Sequence, residues 1–323
     1  MFDVVAIGEL LIDFTPAGRN ESGAALFAMN PGGAPANVLA MNSRLGGRTA
    51  FIGKVGKDGF GSFLKKTIDD FNIFSDGLKT DDRVNTTLAF VQLDENGDRS
   101  FSFYRSPGAD MMLLPEEVDG SLIDGCGILH FGSVSLTDEP SRSATLHAIH
   151  LAKQKGCIIS YDPNYRPLLW KDAQTAISQM RAGLSLADIV KVSKEELVML
   201  TGEKELEKGT LGLCKNGSSL VLVSLGTSGA FYRCGGFSGL LPTYNVKTID
   251  TNGAGDAFLG AVHFCLRNKS LDDIRKLQKE ELENIVRFAN AAGSLTTTKS
   301  GAITALPTLR EIGACLATVP LFS

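Results

Sequence analysis

Short, mainly apolar runs alternate with longer stretches of helical periodicity along most of this chain, and that alternation restricts its fold more than any other feature. Val4–Ile7, Thr49–Val55, Ile128–Gly132, Ile158–Tyr161, Ile189–Val192 and Leu220–Leu225 read as strands. Between them, Phe60, Phe63, Leu64, Ile68 and Phe71 fall on one face at a 3.6-residue period. Pro140–Gly156 carries proline near its start and glycine just past its end, the asymmetry of a helix. Leu282, Ile285, Val286, Ala289 and Leu295 mark another helix. Strands that are mainly apolar need cover on both faces. The pattern therefore predicts an α/β fold, a doubly wound and mainly parallel sheet with helices on either side. Ligands of such sheets sit beyond the carboxyl ends of the strands.

One stretch breaks the alternation. Thr86–Leu93 is followed by Asp94-Glu-Asn-Gly-Asp98 and then Arg99–Arg105. Asn96-Gly97 is a hairpin signal, and Ser100, Phe101, Ser102 and Phe103 alternate as a half-exposed strand does. With no helix to return it to a parallel sheet, this hairpin is placed in a small β-sheet lid, completed by strands from residues near 10–30. A chain of 323 residues allows two domains or one large α/β unit. No repeat, low-complexity segment or linker divides it. The reading is a single domain, 1–323, with lid segments at about 10–34 and 86–108.

Composition narrows the function classes. Lys+Arg number 32 against 36 Asp+Glu, a net charge of −4, which excludes a strong overall basic footprint for nucleic acid. No apolar run approaches the ~18 residues of a membrane span. The first residues, interrupted by Asp3, Glu9 and Asp13, read as a strand and not a signal peptide. The six cysteines are scattered without C-x-x-C, so a cytoplasmic protein with reduced, mostly buried thiols is expected over disulfides or zinc. His147 and His150 read as packing or surface residues. The glycine count of 35 is high and points to tight turns and close backbone approach to ligands.

The segment that carries chemistry is Asp250-Thr-Asn-Gly-Ala-Gly-Asp-Ala-Phe258. Tyr244–Ile249 before it can be a strand. Phe258, Leu259, Val262, His263 and Leu266 after it have helical spacing. A glycine-rich turn thus opens onto a helix N-terminus, where free N–H groups and the helix dipole favour an anion. Asp256 falls in the first helical turn. It either caps the helix or acts beside the bound anion, and the flanking Gly253, Ala254 and Gly255 favour the second role, because capping needs no Gly-Ala-Gly. A carboxylate aimed at an oxyanion cradle suits phosphoryl transfer. Its loose transition state lets proton removal come late, so a weak base suffices. Rival phosphate signatures fail. Arg48–Val55 has Arg48 and Val55 where a Walker A loop needs Gly and Ser or Thr. Gly56, Gly59 and Gly61 reverse the order of a dinucleotide fingerprint, and Gly253, Gly255 and Gly260 have the wrong final spacing.

D-T-N-G-A-G-D-A-F resembles the signature of the ribokinase-like (PfkB) carbohydrate kinases. Asn30-Pro-Gly-Gly-Ala-Pro-Ala-Asn37, with Leu45-Gly-Gly47, Ile52-Gly-Lys-Val-Gly56 and Asp58-Gly-Phe-Gly61, resembles the family's second signature. The resemblance runs nearly end to end. Gly8–Asp13, Phe103-Tyr-Arg105, Ala109-Asp110-Met111, Tyr161-Asp-Pro-Asn164, Lys191-Val-Ser193 and Phe288-Ala-Asn290 are similar to fructokinases in particular.

The resemblance implies a three-layer α/β sandwich with a lid, Asp256 as base on a primary sugar hydroxyl, and an anion hole of Gly253, Ala254 and Gly255. It implies that Asp13, Gly33 and Asn37 meet the sugar; the other reading of Asn37 is that it starts the helix near Pro35. Arg105, at the end of a lid strand, would reach over the sugar or else be a solvated strand end. Asp110 matches but receives no role. Ser193-Lys-Glu-Glu196 is a capping box, and by resemblance Glu196 also supports Mg²⁺ through water; Ser193 departs from the commoner Asn. Ser224, Gly226 and Gly229 should border ATP. Asn290 resembles an adenine-side asparagine, or is an ordinary helix polar residue. Arg166 would pair with phosphate or form a surface ion pair. Asp250, with main-chain oxygens near Asn252 and Gly301, matches a monovalent cation (K⁺) site, with Asn252 replacing a commoner Thr.

The first expectation is an ATP-dependent fructokinase, with 2-keto-3-deoxygluconate kinase second in the same class. A catalytically silent sugar-binding regulator is a different class, disfavoured because binding alone needs no base. An NAD-dependent dehydrogenase lacks its fingerprint. The lid could pair two copies as a homodimer through exposed edges and Phe101 or Phe103; sequence leaves monomer and dimer open. No nucleic-acid or membrane partner is expected.

Overall fold

The computed structural model describes residues 1–93 and 99–322, apart from the side chains of 92, 93 and 99–101. The Asn96-Gly97 turn and the Phe101 side chain lie outside the described residues. In chain order the first elements are β1 (Val4–Ile7), β2 (Leu11–Arg19), β3 (Ala25–Gly32), α1 (Ala34–Arg44), β4 (Thr49–Gly56), α2 (Gly59–Asp70), β5 (Ile73–Phe74), β6 (Leu78–Asp81), β7 (Leu88–Leu93) and β8 (Arg99–Tyr104). Next come α3 (Gly120–Ile123), β9 (Ile128–Gly132), α4 (Ser141–Gln154), β10 (Ile158–Asp162), α5 (Ala173–Leu184), β11 (Ile189–Ser193), α6 (Lys194–Thr201), α7 (Leu206–Lys215) and β12 (Leu220–Ser224). The last are β13 (Ala230–Cys234), β14 (Phe237–Leu241), α8 (Ala254–Leu266), α9 (Leu271–Arg275), α10 (Lys279–Thr296) and α11 (Leu309–Thr318).

The large sheet has the order β14-β13-β12-β11-β10-β9-β1-β4-β5, and β6 also pairs with β4. From β5 to β12 every pairing is parallel; β12, β13 and β14 are antiparallel. Alternate residues of each strand enter different cores. Val4, Ala6, Ile189, Leu220 and Leu222 face the core under α1, α2, α8, α10 and α11. Val5, Ile7, Val190, Val192, Val221 and Val223 face the core under α3 to α7. This is why the strands read as mainly apolar runs: both faces are covered, and each fully buried Leu or Ile is worth about 1.5–3 kcal/mol.

The small sheet has the order β3-β2-β7-β8. β2 and β3 pair antiparallel, β7 and β8 antiparallel, and β2 and β7 parallel. Phe14 stacks on Phe90, and Phe90 meets Phe27 and Tyr104 edge-on. Leu26, Phe27, Met29 and Tyr104 are exposed.

One element differs from expectation. Tyr244–Ile249 is not a strand; only Tyr244 makes an isolated bridge, to Leu321. The segment leaves the sheet's antiparallel edge after Pro242, and its N–H groups go elsewhere: Asn245 donates to Pro320 O (2.8 Å) and Ile249 to Thr297 O (2.8 Å). His147 and His150 are exposed, as a surface reading requires. Among the described residues no helix is long and apolar enough to cross a membrane.

Candidate active site

Two helices begin at the same place, and glycine allows both to do so. Helix α8 starts after Gly253, whose φ of 73° is left-handed and whose added Cβ would lie 2.7 Å from the Ala302 Cβ. No side chain caps this end. Ala257 N–H is bonded to Gly253 O at 2.8 Å, and the first-turn N–H groups before it have no partner within the helix. Helix α1 starts after Gly33, with φ 116°, where a Cβ would lie 2.4 Å from Glu9 O. The Glu9 carboxylate takes the Ala34 N–H at 3.0 Å. The helices then pack closely through Gly260, whose Cβ would meet Val38 O at 2.5 Å.

This convergence orients Asp256. Its Oδ2 accepts from Asn37 Nδ2 (2.8 Å) and its Oδ1 from Asn164 Nδ2 (3.2 Å). Asp256 is therefore not the helix cap; Gly253 holds that position, and the carboxylate points to side chains of α1 and the β10 end. It keeps 7% exposure. Asn37 likewise lies inside α1, not at its start, and holds the acid from behind.

Two cavities flank the turn. One, about 450 Å³, is bordered by Ser224, Gly226 and Gly229 after β12, by Ala254, Gly255 and Phe258 of α8, and by Asn290 of α10. The other, about 100 Å³, is bordered by Glu9, Asp13, Gly33, Asn164, Arg166 and Gly253, with Phe103 of the lid as a wall. The Gly253–Gly255 turn is thus shared between the two. Asn290 also braces the first cavity, donating to Leu241 O (3.2 Å) and Pro242 O (3.1 Å).

Burial shapes the charges of the smaller cavity. It pushes Asp13 up to about 6, with Arg166 lowering and Asp256 raising it. It pushes Glu9 up to about 7, and among the described residues Glu9 Oε2 has no hydrogen-bond partner. Arg166 lies on this side, not against the larger cavity, and its guanidinium donates to the carbonyls of Asn164 and Tyr165.

Several expected residues sit differently. Arg105 is buried, and its guanidinium donates to Asp110 (2.7 Å), Thr137 Oγ1 (2.9 Å) and Val134 O (3.1 Å). Instead of bordering the sugar-sized cavity it borders an adjoining one with Trp170 and Met111. The ion pair to Asp110 draws it there, which gives Asp110 the role that sequence did not supply. Ser193 and Glu196 form the capping box: Ser193 Oγ accepts from Glu196 N (3.1 Å) and Glu196 Oε2 from Ser193 N (2.7 Å). Glu196 Oε1 additionally accepts from Tyr165 N (2.7 Å), tying α6 to the β10 end. Asp250 accepts from the main-chain N–H groups of Asn252 and Gly301, both at 3.0 Å, so these loops do meet around its carboxylate.

Sequence reasoning missed a buried ion pair beneath the turn. Lys191 Nζ donates to Asp162 Oδ2 at 2.8 Å, both groups being buried. A Cβ on Gly255 would lie 2.9 Å from that ammonium. Burial alone would lower the Lys191 ammonium, but Asp162, Glu196 and Asp256 hold it above its ordinary value. The available signal was a lysine inside an apolar strand run, since buried charges are paired. Asn164 and Glu9 were missed too. Each belonged to a quoted motif without a role.

The chain is similar to known proteins along nearly its whole length. Residues 1–309 match the family model described as "pfkB family carbohydrate kinase". A probable fructokinase-2 of Arabidopsis thaliana is 46% identical, over 94% of this chain and 93% of that protein. Fructokinase-1 of Zea mays is 44% identical, over 96% of each. Among solved structures, fructokinase from Xylella fastidiosa with bound ATP matches with a TM-score of 0.91 and 33% identity, over 98% and 99% of the two chains. Fructokinase from Vibrio cholerae with fructose, ADP and calcium bound matches at 0.87 and 36%, over 97% and 98%. The chain belongs to the pfkB family of carbohydrate kinases.

Proposed function

We propose that this chain is an ATP-dependent fructokinase, acting as a single catalytic unit with the small sheet as its lid. One observation carries the reading: an uncapped, glycine-lined helix start separates a roomy cavity from a small, carboxylate-bearing one, with an oriented aspartate beside it. ATP occupies the cavity of about 450 Å³, bordered by Ser224, Gly226, Gly229 and Asn290. D-Fructose occupies the smaller one. Asp13 accepts from sugar hydroxyls, and Gly33 lets the main chain approach the ring.

Asp256 accepts the proton of the 6-hydroxyl as its oxygen bonds to the γ-phosphorus and the bond to ADP breaks. The amides of Gly253, Ala254 and Gly255 donate to the phosphoryl oxygens, with the Lys191 charge behind them. Arg166, exposed at the rim, pairs with the transferred phosphate. Lid closure keeps water from competing for the phosphoryl group.

Mg²⁺ fits as a phosphate-held ion. Glu196 already serves two N–H groups but keeps lone pairs for a coordinated water. When bound, it would neutralise phosphate charge. The Asp250 loops with Asn252 and Gly301 would hold K⁺. A second copy would pair through the lid, where Phe27, Met29 and Tyr104 are exposed; sedimentation of the pure chain tests that.

ADP release measured with fructose, glucose, ribose, adenosine and 2-keto-3-deoxygluconate decides the substrate. Fructose should give the highest kcat/KM. Arg166 beside Asp13 could also take a carboxylate, so preference for the keto acid would replace fructose with that substrate. No ADP from any of them would leave a sugar-binding regulator.

A further inference from the structure

The end of the sheet opposite the active site carries a pair of thiols in contact. Cys126 Sγ and Cys157 Sγ are 3.2 Å apart. Cys126 precedes β9 and Cys157 precedes β10, which are parallel neighbours with Ile128 beside Ile158. Ile158 N–H bonds to Gly127 O at 3.0 Å, so the cysteines are diagonal neighbours across one ladder step. Adjacent strands lie about 4.8 Å apart, within the Cα separations of about 4.4–6.8 Å that a disulfide spans. Closing the sulfurs to about 2.05 Å needs roughly 1 Å of movement. The same two connections are also held by the Lys155–Asp124 ion pair (3.2 Å).

We propose that Cys126 and Cys157 are a redox-active dithiol, which a small hydroperoxide oxidises to an intramolecular disulfide locking the N-terminal ends of β9 and β10. Burial selects the oxidant class. The residues keep 5% and 7% exposure, which leaves no face for a protein disulfide to dock and restricts the oxidant to a small molecule. The hydrogen bond from Cys126 draws the Cys157 thiol below its ordinary value, and the same bond, with burial, pushes Cys126 up. Cys157, which accepts the hydrogen bond and is the more exposed of the two, is the attacking sulfur. Its thiolate bonds to one peroxide oxygen, the O–O bond breaks, and the departing hydroxide takes a proton as water, leaving a sulfenic acid. Cys126 sulfur then attacks the sulfenic sulfur. The S–S bond forms, S–O breaks, and the hydroxyl leaves with the Cys126 proton as a second water. Two thiols and one peroxide give one disulfide and two waters.

The lock is remote from phosphoryl transfer. β9 and β10 are five residues long, and at about 3.3 Å per residue their carboxyl ends lie roughly 15 Å away. Oxidation therefore stabilises the fold and leaves turnover alone.

The test is peroxide treatment of the intact protein, alkylation of remaining thiols, and non-reducing peptide mass spectrometry. The expected product joins the Cys126 and Cys157 peptides with loss of two hydrogens. It should raise the unfolding midpoint by on the order of 5 °C, reversibly with dithiothreitol and with kcat unchanged. In Cys126→Ser, dimedone should trap a sulfenic acid at Cys157; in Cys157→Ser, none should appear at Cys126. Complete alkylation of both thiols after peroxide overturns the proposal, as does sulfinate without cross-link or a disulfide joining other cysteines such as Cys214 and Cys234. A cross-link that lowers kcat overturns the lock. The mass and midpoint readouts need no activity, so they stand whatever sugar the enzyme uses.

Discussion

The two cavities on either side of the Gly253–Gly255 turn are built from opposite materials. The larger is bordered by Gly, Ser, Thr, Asn and apolar groups, with no Asp, Glu, Lys or Arg. The smaller carries Glu9, a buried acid, Asp13, a half-buried one, and the exposed Arg166. A nucleotide brings its own charge, so a neutral wall that shapes the purine and leaves phosphate to backbone amides is sufficient. A neutral sugar offers only hydroxyls, and the protein must supply the charge that orients them. On the proposed function, one side is read by main chain and shape, the other by titratable side chains.

The sharpest way to break that contrast is at Asp256, the acid that follows the turn between the two cavities. Asp256→Asn retains partners for Asn37 or Asn164 but cannot take the hydroxyl proton. Its kcat should fall about 10²–10⁴-fold, with the fructose KM changed little, in a steady-state ADP assay. Near-normal turnover would remove Asp256 from the role of base. Next in size is Lys191→Met, which keeps a stem under Gly255 but removes the ammonium behind the anion hole. A fall of roughly 10–10²-fold in kcat is expected. ATP KM should stay near its original value, because the charge counts most for the phosphoryl group in transit. Equal loss in KM and none in kcat would make the pair merely structural.

The same contrast explains what was legible in the sequence. The strands from Val4–Ile7 to Leu220–Ser224 were readable because two-sided burial leaves a mainly apolar run. Asp256, Gly253 and Gly255 were readable because glycine and a carboxylate in that spacing answer a local backbone need. β13 is fully buried, but Arg233 interrupts its apolar run, and β14 is half-exposed at Phe237 and Leu241, so neither stood out. Tyr244–Ile249 has strand-like composition, but its hydrogen bonds go to Pro320 and Thr297, a tertiary choice that no local pattern encodes. The resemblance puts Arg105, at the end of a lid strand, over the sugar. Its position is set by Asp110, and only the fold shows that ion pair.

The charged side should also show a cost in stability that the neutral side lacks. Glu9 is held near 7 against an ordinary value of 4.5, chiefly by burial. A folded value above the unfolded one means that the native chain binds the proton more tightly. The stability this group contributes is fully present below about 4.5 and is lost as pH rises to about 7. Glu9→Gln keeps an oxygen for Ala34 N–H and removes the charge. It should gain on the order of 2 kcal/mol over the parent at pH 8 and close to nothing at pH 4, read from urea midpoints. A gain independent of pH would show that charge is not the cause.

Asp13 sharpens the point in function. With its carboxyl near 6, it accepts from two sugar hydroxyls as a carboxylate above that pH, and below it one oxygen becomes a donor and the charge-assisted bonds are lost. Fructose KM should rise about tenfold between pH 7 and pH 5, while ATP KM stays flat. In Asp13→Asn the low-pH limb should vanish and KM be high throughout. A parallel rise in ATP KM would mean that acid loosens the whole site.

On the nucleotide side, removing a polar side chain should matter less than adding a methyl group. Thr227 borders the larger cavity and is exposed, so Thr227→Ala forfeits at most one hydrogen bond of about 0.5–1.5 kcal/mol. At the exposed end of that range ATP KM rises less than about threefold. Gly229 has φ 93°, and its Cβ would fall 2.0 Å from Leu241 O. Gly229→Ala must therefore push the β14 exit, which Asn290 holds in place, and distort the cavity wall. Its ATP KM should exceed that of Thr227→Ala. If the hydroxyl loss proves the costlier of the two, side chains and not backbone shape read the nucleotide, and the division between the cavities fails.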